Sequence, residues 1–274
     1  FPASRIEAAL TGGLDDLAIG KLRLNLGKND IETAGKLKGM RSESPSGELA
    51  FKCRSFVLDE LTPIFPWTRD LKLVGSGFFA LDVLGELKNP SLAGKLKFQG
   101  LGATVAGLPL SEFSGTASFD EKRLDIPKLE GKVADGTLTM DLTVKDYRKE
   151  PAIDLEASLD RFDLGRFLAA KAALKKDEPP QPAAKSKPEP PLSAKGKFTV
   201  GELSHPNVTA KDVKVSWDLE GIAPGFKALG GWAKLTVAGG NFNNIGKLAA
   251  QSPLVKVLAL PLLIIQKIGG IGGI

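Results

Sequence analysis

Apolar and polar residues alternate one for one along much of this chain, and a period of two is the mark of a β-strand with one wet face and one covered face. From Gly136 to Lys145, Leu138, Met140, Leu142 and Val144 point one way while Thr137, Thr139, Asp141, Thr143 and Lys145 point the other. The same rule sets Leu22, Leu24 and Leu26 against Lys21, Arg23 and Asn25, and Leu49, Phe51 and Cys53 against Glu48, Lys52 and Arg54. Ile153, Leu155, Ala157 and Leu159 likewise oppose Asp154, Glu156, Ser158 and Asp160. Further strands place Leu92, Gly94, Leu96 and Phe98 on one face, then Phe113, Gly115, Ala117 and Phe119, then Val213, Val215, Trp217 and Leu219.

Turn formers separate these runs: Gly12-Gly13, Lys28-Asn29-Asp30, Ser44-Pro45-Ser46-Gly47, Asn89-Pro90 and Asp135-Gly136. They supply the positive or fixed φ angles that tight antiparallel connections need. Short strands at near-regular spacing predict a mainly β fold, an antiparallel meander with one apolar face. Helical spacing is scarce; Leu164 to Lys176 reads as one short helix, with Leu164, Phe167, Leu168 and Leu174 on one side. Asp177 to Pro191, DEPPQPAAKSKPEPP, holds no large apolar residue and reads as a solvated insertion between strands. Two internal echoes suggest repeated strand modules. Leu92, Lys95, Lys97, Phe98, Glu112 and Phe113 recur one hundred residues later as Leu192, Lys195, Lys197, Phe198, Asp212 and Val213. Phe56, Leu58 and Leu61 recur as Phe162, Leu164 and Phe167, each set closing a strand and opening a turn or helix.

The chemistry of catalysis is poorly represented. The 274 residues include one His, one Tyr and one Cys. A metal site built on imidazole pairs is therefore excluded, as is an intrachain disulfide. His205 precedes Pro206 in a turn, and the acidic residues lie on wet strand faces opposite Lys and Thr, where no glycosidase-like pair stands out. Gly75-Ser76-Gly77 does not extend to a dinucleotide fingerprint. The Gly269-Gly270 and Gly272-Gly273 pairs follow an apolar run instead of opening a helix. The net charge of +5 comes from 37 basic and 32 acidic residues interleaved along the chain, unlike the clustered basic tracts of a nucleic-acid binder. No enzyme activity and no cofactor are expected.

Pro253 to Ile268, PLVKVLALPLLIIQKI, is the most apolar stretch. It is short for a transmembrane helix, carries Lys256 and Lys267, and holds Pro261, which would kink a helix. It reads either as an element buried against the end of the sheet or as a segment lying at a membrane surface or closing a groove. In the second reading Leu254, Val257, Leu258, Leu262 and Ile265 make the contact.

The run FSGTASFDEKRLDIPKLEGKVADGTLTMDLTV at 113–144, with PAIDLEASLDRFDLGRFL at 151–168, resembles the repeating unit of the AsmA family of bacterial envelope proteins. PLSAKGKFTVGELSHPNVTAKDVKVSWDLEG at 191–221 is similar to a further repeat, and LAFKCRSFVLDELTP at 49–63 to another module end. The resemblance implies an elongated sheet curled into a taco-like hydrophobic groove, with few short helices. It implies phospholipid or other acyl-lipid transport through the periplasm between inner and outer membranes, in support of outer-membrane integrity. An inner-membrane anchor would lie in a segment absent from this chain. On this reading residues 1–176 and 192–250 are groove modules, 177–191 a linker and 251–274 an apolar C-terminal segment. The lining would come strand by strand from Leu22, Leu24 and Leu26; Leu49 and Phe51; Leu96 and Phe98; Phe113 and Phe119. It would continue through Leu138, Met140, Leu142 and Val144; Ile153, Leu155 and Leu159; and Val213, Val215 and Trp217. Small inward residues such as Gly94, Gly115 and Gly131 favour an open groove over an interlocked sandwich. The alternative function is a structural or assembly factor that binds envelope proteins, for instance by strand addition at a sheet edge.

Overall fold

Alternating sequence becomes alternating burial once strands pair, because residues directly opposite each other across a ladder share a face. The computed structural model describes residues 4–13, 15–61, 71–147, 149–177, 191–223 and 228–242. The fold is mainly β. Among the described residues ten strands precede one α-helix: β1 Ser4–Gly12, β2 Leu17–Leu26, β3 Asn29–Lys38, β4 Ser46–Val57, β5 Val74–Glu86, β6 Ser91–Val105, β7 Leu108–Phe119, β8 Arg123–Val133, β9 Gly136–Lys145 and β10 Ala152–Asp163. A 3-10 turn, Asp59–Leu61, follows β4. After α1, Leu164–Asp177, come β11 Leu192–His205, β12 Val208–Ile222, β13 Gly230–Thr236 and β14 Gly239–Phe242. The strands hydrogen-bond in chain order from β1 to β13, and β14 joins β13 along the outer side of β12. Among the described residues the sheet is open, with β1 at one edge.

The chain divides into two compact units. The first comprises 1–104, 109–131 and 140–152; the second comprises 105–108, 132–139 and 153–274. In the first, the register from β1 to β6 assembles three apolar rows. One runs Ile6, Leu24, Ile31, Cys53, Phe79 and Leu96; the next Ala8, Leu22, Thr33, Phe51, Leu81 and Gly94; the third Leu10, Ile19, Gly35, Leu49, Val83 and Leu92. The opposite face carries a ladder of alternating charge through Glu7, Arg23, Glu32 and Lys52. Opposite charges facing across strands stabilise the register modestly. A one-residue slip would exchange the two faces, so the pattern fixes the pairing.

The period of two is broken at defined points. In β6 the apolar positions run Leu92, Leu96 and Phe98, then shift phase to Leu101, Ala103 and Val105, and Gly100 at the break has φ +62°. In β7, Leu108 and Leu110 give way to Phe113, Ala117 and Phe119 across Glu112, with φ +58°. In β8, Leu124 and Ile126 give way to Leu129 and Val133 across Lys128, with φ +55°. In β12, Val208 and Ala210 give way to Val213, Val215 and Trp217 across Asp212, with φ +48°. A non-Gly residue at positive φ is uncommon, and such irregularities bend and twist the strand that carries them. Neighbouring polar groups capture the displaced backbone in two cases: the Lys128 amide donates to Asp141 at 2.9 Å and the Gly100 amide to Ser114 Oγ at 3.2 Å.

Both sequence echoes have structural counterparts. The hairpin β6–β7 and the hairpin β11–β12 share strand positions one hundred residues apart, and Glu112 and Asp212 both occupy the left-handed region. The strand ends at Phe56 and Phe162 lead respectively into the 3-10 turn and into α1.

One junction departs from the antiparallel meander. Asp154 meets Lys195 at 3.1 Å, the Leu155 carbonyl abuts Gly196, and the Asp160 carbonyl abuts Gly201, each pair 41 residues apart. Antiparallel strands would instead show a constant sum of residue numbers, so β10 and β11 run parallel. A parallel pair needs a long crossover connection, usually through a helix. The helix α1 and the Pro-rich tract occupy that connection, which gives the tract a task that its composition does not reveal. Residues 178–190 of the tract lie outside the described residues, as do 243–274 with Leu254, Val257, Leu258, Leu262 and Ile265.

Candidate functional site

The candidate site is the apolar face of each unit. In the first unit Leu22, Leu24 and Leu26 are half-buried, as are Leu49, Phe51, Leu96, Phe98, Phe113, Phe119, Met140, Leu142 and Val144. Their alternates Glu48, Lys52, Lys97, Thr139 and Asp141 are exposed. Of the described apolar side chains in this unit, only Ile19, Cys53, Phe56 and Ala117 are buried. A second packed layer would have buried the Leu and Phe of the rows as well.

The glycines on this face do not leave open space. An aromatic ring from a neighbouring strand lies against each of several of them: Phe56 against Gly77, Phe119 against Gly94, Phe98 against Gly115 and Phe113 against Gly131. In the second unit Trp217 lies against Gly196, its direct cross-strand partner. A Cβ at Gly131 would stand 2.5 Å from the Phe113 ring. Aromatic cover of strand glycines restores the apolar contact that the missing side chain forfeits. Gly94, Gly115 and Gly131 are therefore seats for rings, and their small size by itself no longer argues for a groove over a sandwich.

In the second unit Leu138, Ile153, Leu155 and Trp217 are half-buried. Leu159, Val213 and Val215 differ from the expected lining: at 3%, 9% and 8% exposure they pack with Val200 and Ala210 in a closed cluster. These three are core and offer no surface to a ligand. A smaller cluster joins Leu164 of α1 to Val208, with Phe162, Leu168 and Leu203 around it. Strand β5 adds Phe79, Leu81 and Val83 to the apolar rows. Their alternation is present in the sequence but is masked by Phe78 and Leu84, which face Lys97 and Glu48 on the other side.

Polar groups on the opposite face serve the ladder. Arg23 grips Asp30 with two hydrogen bonds, one of 2.7 Å, and holds the Asp30 carboxyl below the usual carboxylate range. Arg123 at 2.5 Å, helped by the Thr143 hydroxyl at 2.8 Å, does the same for Asp125. The Thr137 amide, donating at 2.6 Å, holds down Asp160. All three shifts run away from neutrality, which keeps these carboxylates ionised instead of poised for acid–base work. A depression of about 330 Å³ on this side of the first unit is bordered by Asp82, Lys95, Asp120, Arg123 and Asp125, and its Arg123–Asp125 pair is already satisfied. His205 Nδ1 accepts the Asn207 amide at 3.1 Å within the β11–β12 turn. Cys53 is buried, its thiol pushed up by desolvation and donating to the Ser55 carbonyl at 3.3 Å. Among the described residues no group of three metal-ligating side chains gathers, and no helix is long and apolar enough to cross a membrane. No family model, no curated protein and no solved structure matches the chain.

Proposed function

We propose that the apolar faces of the two units bind the acyl chains of phospholipid, and that the chain is a lipid-carrying part of an AsmA-like envelope protein working in the periplasm between inner and outer membranes. The observation that carries this reading is the half-exposed apolar face of the first unit, continuous from β1 to β6 and covered by no other described element. An apolar surface of this kind in an aqueous compartment favours a partner that is itself apolar. An acyl chain suits it because the rows offer Leu, Ile, Phe and Val with almost no polar atom to satisfy. The charged ladder behind them keeps the other face in water. No cofactor or energy source enters this reading.

Phospholipid co-purifying with gently isolated protein, measured by native mass spectrometry, tests the proposal. Met140→Asp places a carboxylate on the apolar face, where Met140 is half-buried, whereas Thr139→Asp leaves its carboxylate in water. Met140→Asp should stay folded and lose most of its bound lipid, with Thr139→Asp near wild type. Wild-type protein that is free of lipid yet captures an envelope protein would favour the assembly reading.

A further inference from the structure

The sequence echoes join into one repeat of strands. Lys21-Leu22, Ile31 and Lys38 of β2 and β3 recur at one constant spacing as Lys128-Leu129, Leu138 and Lys145 of β8 and β9. The turn residues Gly27 and Ala134 stand at the same spacing and share a left-handed φ, +62° and +53°. Leu49 and Phe56 of β4, with Leu58 just beyond it, return as Leu155, Phe162 and Leu164, a match that pairs Cys53 with Leu159. The hairpins β6–β7 and β11–β12 complete the repeat, with Glu112 and Asp212 both at positive φ. Strands β2, β3, β4, β6 and β7 thus reappear in order as β8 to β12, and among the described residues β5 has no counterpart.

Strand directions agree with the loss or gain of one strand. Strand β5 pairs antiparallel with both β4 and β6, which sets those two parallel to each other. Without β5, the equivalents of β4 and β6 would lie side by side and parallel, and that is how β10 and β11 run, in contact through Asp154 and Lys195. The extra strand changes what the shared face can do. In the first unit β5 sets Phe79 and Gly77 opposite Cys53 and Phe56, and it holds β6 two strand spacings from β4, about 10 Å. The rows spread, and Phe51, Leu81, Leu96 and Phe98 are only half-buried. In the second unit β10 adjoins β11 directly, and Leu159, the counterpart of Cys53, packs with Val200, Val213 and Val215 at 2–9% exposure. Resting on the acyl-chain reading above, we infer that β5 is the strand that opens this module into a lipid seat. Acyl chains lie on the first unit, with β5 at the centre of their contact, and the β11–β12 hairpin, closed on its own side chains, holds none.

Photo-crosslinking of the full chain, loaded with phosphatidylethanolamine that carries a diazirine at the end of one acyl chain, tests this. Peptide mass spectrometry should find at least tenfold more label on β4, β5 and β6 than on β11 and β12. Leu81→Asp, on the β5 row, should lose most of the loaded lipid, whereas Leu155→Asp, half-buried in the second unit, should keep most of it. Circular dichroism checks that both variants are folded; where one is not, the distribution of label on wild type decides. Label spread evenly over both sets of strands, or concentrated on β11 and β12, overturns the inference while leaving the lipid reading intact. A folded Leu81→Asp that carries lipid as wild type does overturns it as well. A wild type that takes up no phospholipid sinks the lipid reading and this inference together.

Discussion

A glycine under an aromatic ring is a pair whose members are interpretable only together. Gly131 and Phe113 show it plainly, since three ring atoms of Phe113 lie 2.5–2.9 Å from where a Cβ on Gly131 would stand. Gly131→Ala should cost about 1–3 kcal/mol in urea unfolding through overpacking. Phe113→Leu should recover part of that loss, because contacting residues are not additive. Gly230→Ala, with open space around it, is the neutral control. A different residue-scale tie is Asn29, 1% exposed at the start of β3, which donates to the carbonyls of Leu26 and Val57 at 3.1 and 3.3 Å and accepts the Val57 amide at 2.7 Å. It fastens the β2–β3 turn to the end of β4. Asn29→Ala strands those backbone groups and should lower stability by about 1–3 kcal/mol, measured as a reduced urea midpoint.

At the scale of elements, the parallel junction changes what the Pro-rich tract is expected to tolerate. By composition alone the tract buries nothing, and shortening it should be harmless. Because β10 and β11 run the same way, the chain must return roughly the length of a strand. For the 14 residues of β11 that is about 45 Å. The 14 residues of α1 can cover at most about 20 Å of it, leaving at least about 25 Å, or some eight extended residues. Removing four residues from 178–190 should leave the melting temperature within a degree or two. Removing all thirteen should lower it sharply or unfold β11 and β12, and thermal denaturation followed by circular dichroism separates the two cases. The phase slips at Gly100, Glu112, Lys128 and Asp212 are element-scale devices too, bending each strand while its apolar positions keep their rhythm on either side.

For the whole molecule, the polar face makes stability depend on pH in a definite direction. Asp30, Asp125 and Asp160 are all held below the ordinary carboxylate value by partners present only when the sheet is formed. A lowered folded-state value means that their contribution is fully present above the unfolded pKa of about 4 and is lost as pH falls through the lower folded value. Melting temperatures across pH 2–7 should therefore fall below about pH 4. Asp160→Asn, which keeps an acceptor for the Thr137 amide but cannot be protonated in that range, should flatten the fall. An unchanged acid slope in that variant would remove Asp160 from the account.

The sequence by itself determined the β class and the facing of the strands that alternate cleanly. In β9, where Leu138, Met140, Leu142 and Val144 alternate without a break, a half-buried face and a wet face follow from chain geometry alone. It also determined the helix at Leu164 and the two module echoes, since periodicity and repetition are local properties. What only tertiary structure decided was how neighbours use those faces. Leu159, Val213 and Val215 read as groove lining and became core, because burial depends on the strands and cluster that close over a residue. Gly94 and Gly131 read as small inward residues and hold rings, because a ring reaches across a strand to a position its own sequence does not mention. The direction of β11 was invisible for the same reason: alternation is identical in parallel and antiparallel strands, and only the contacts of Lys195, Gly196 and Gly201 with β10 distinguish them.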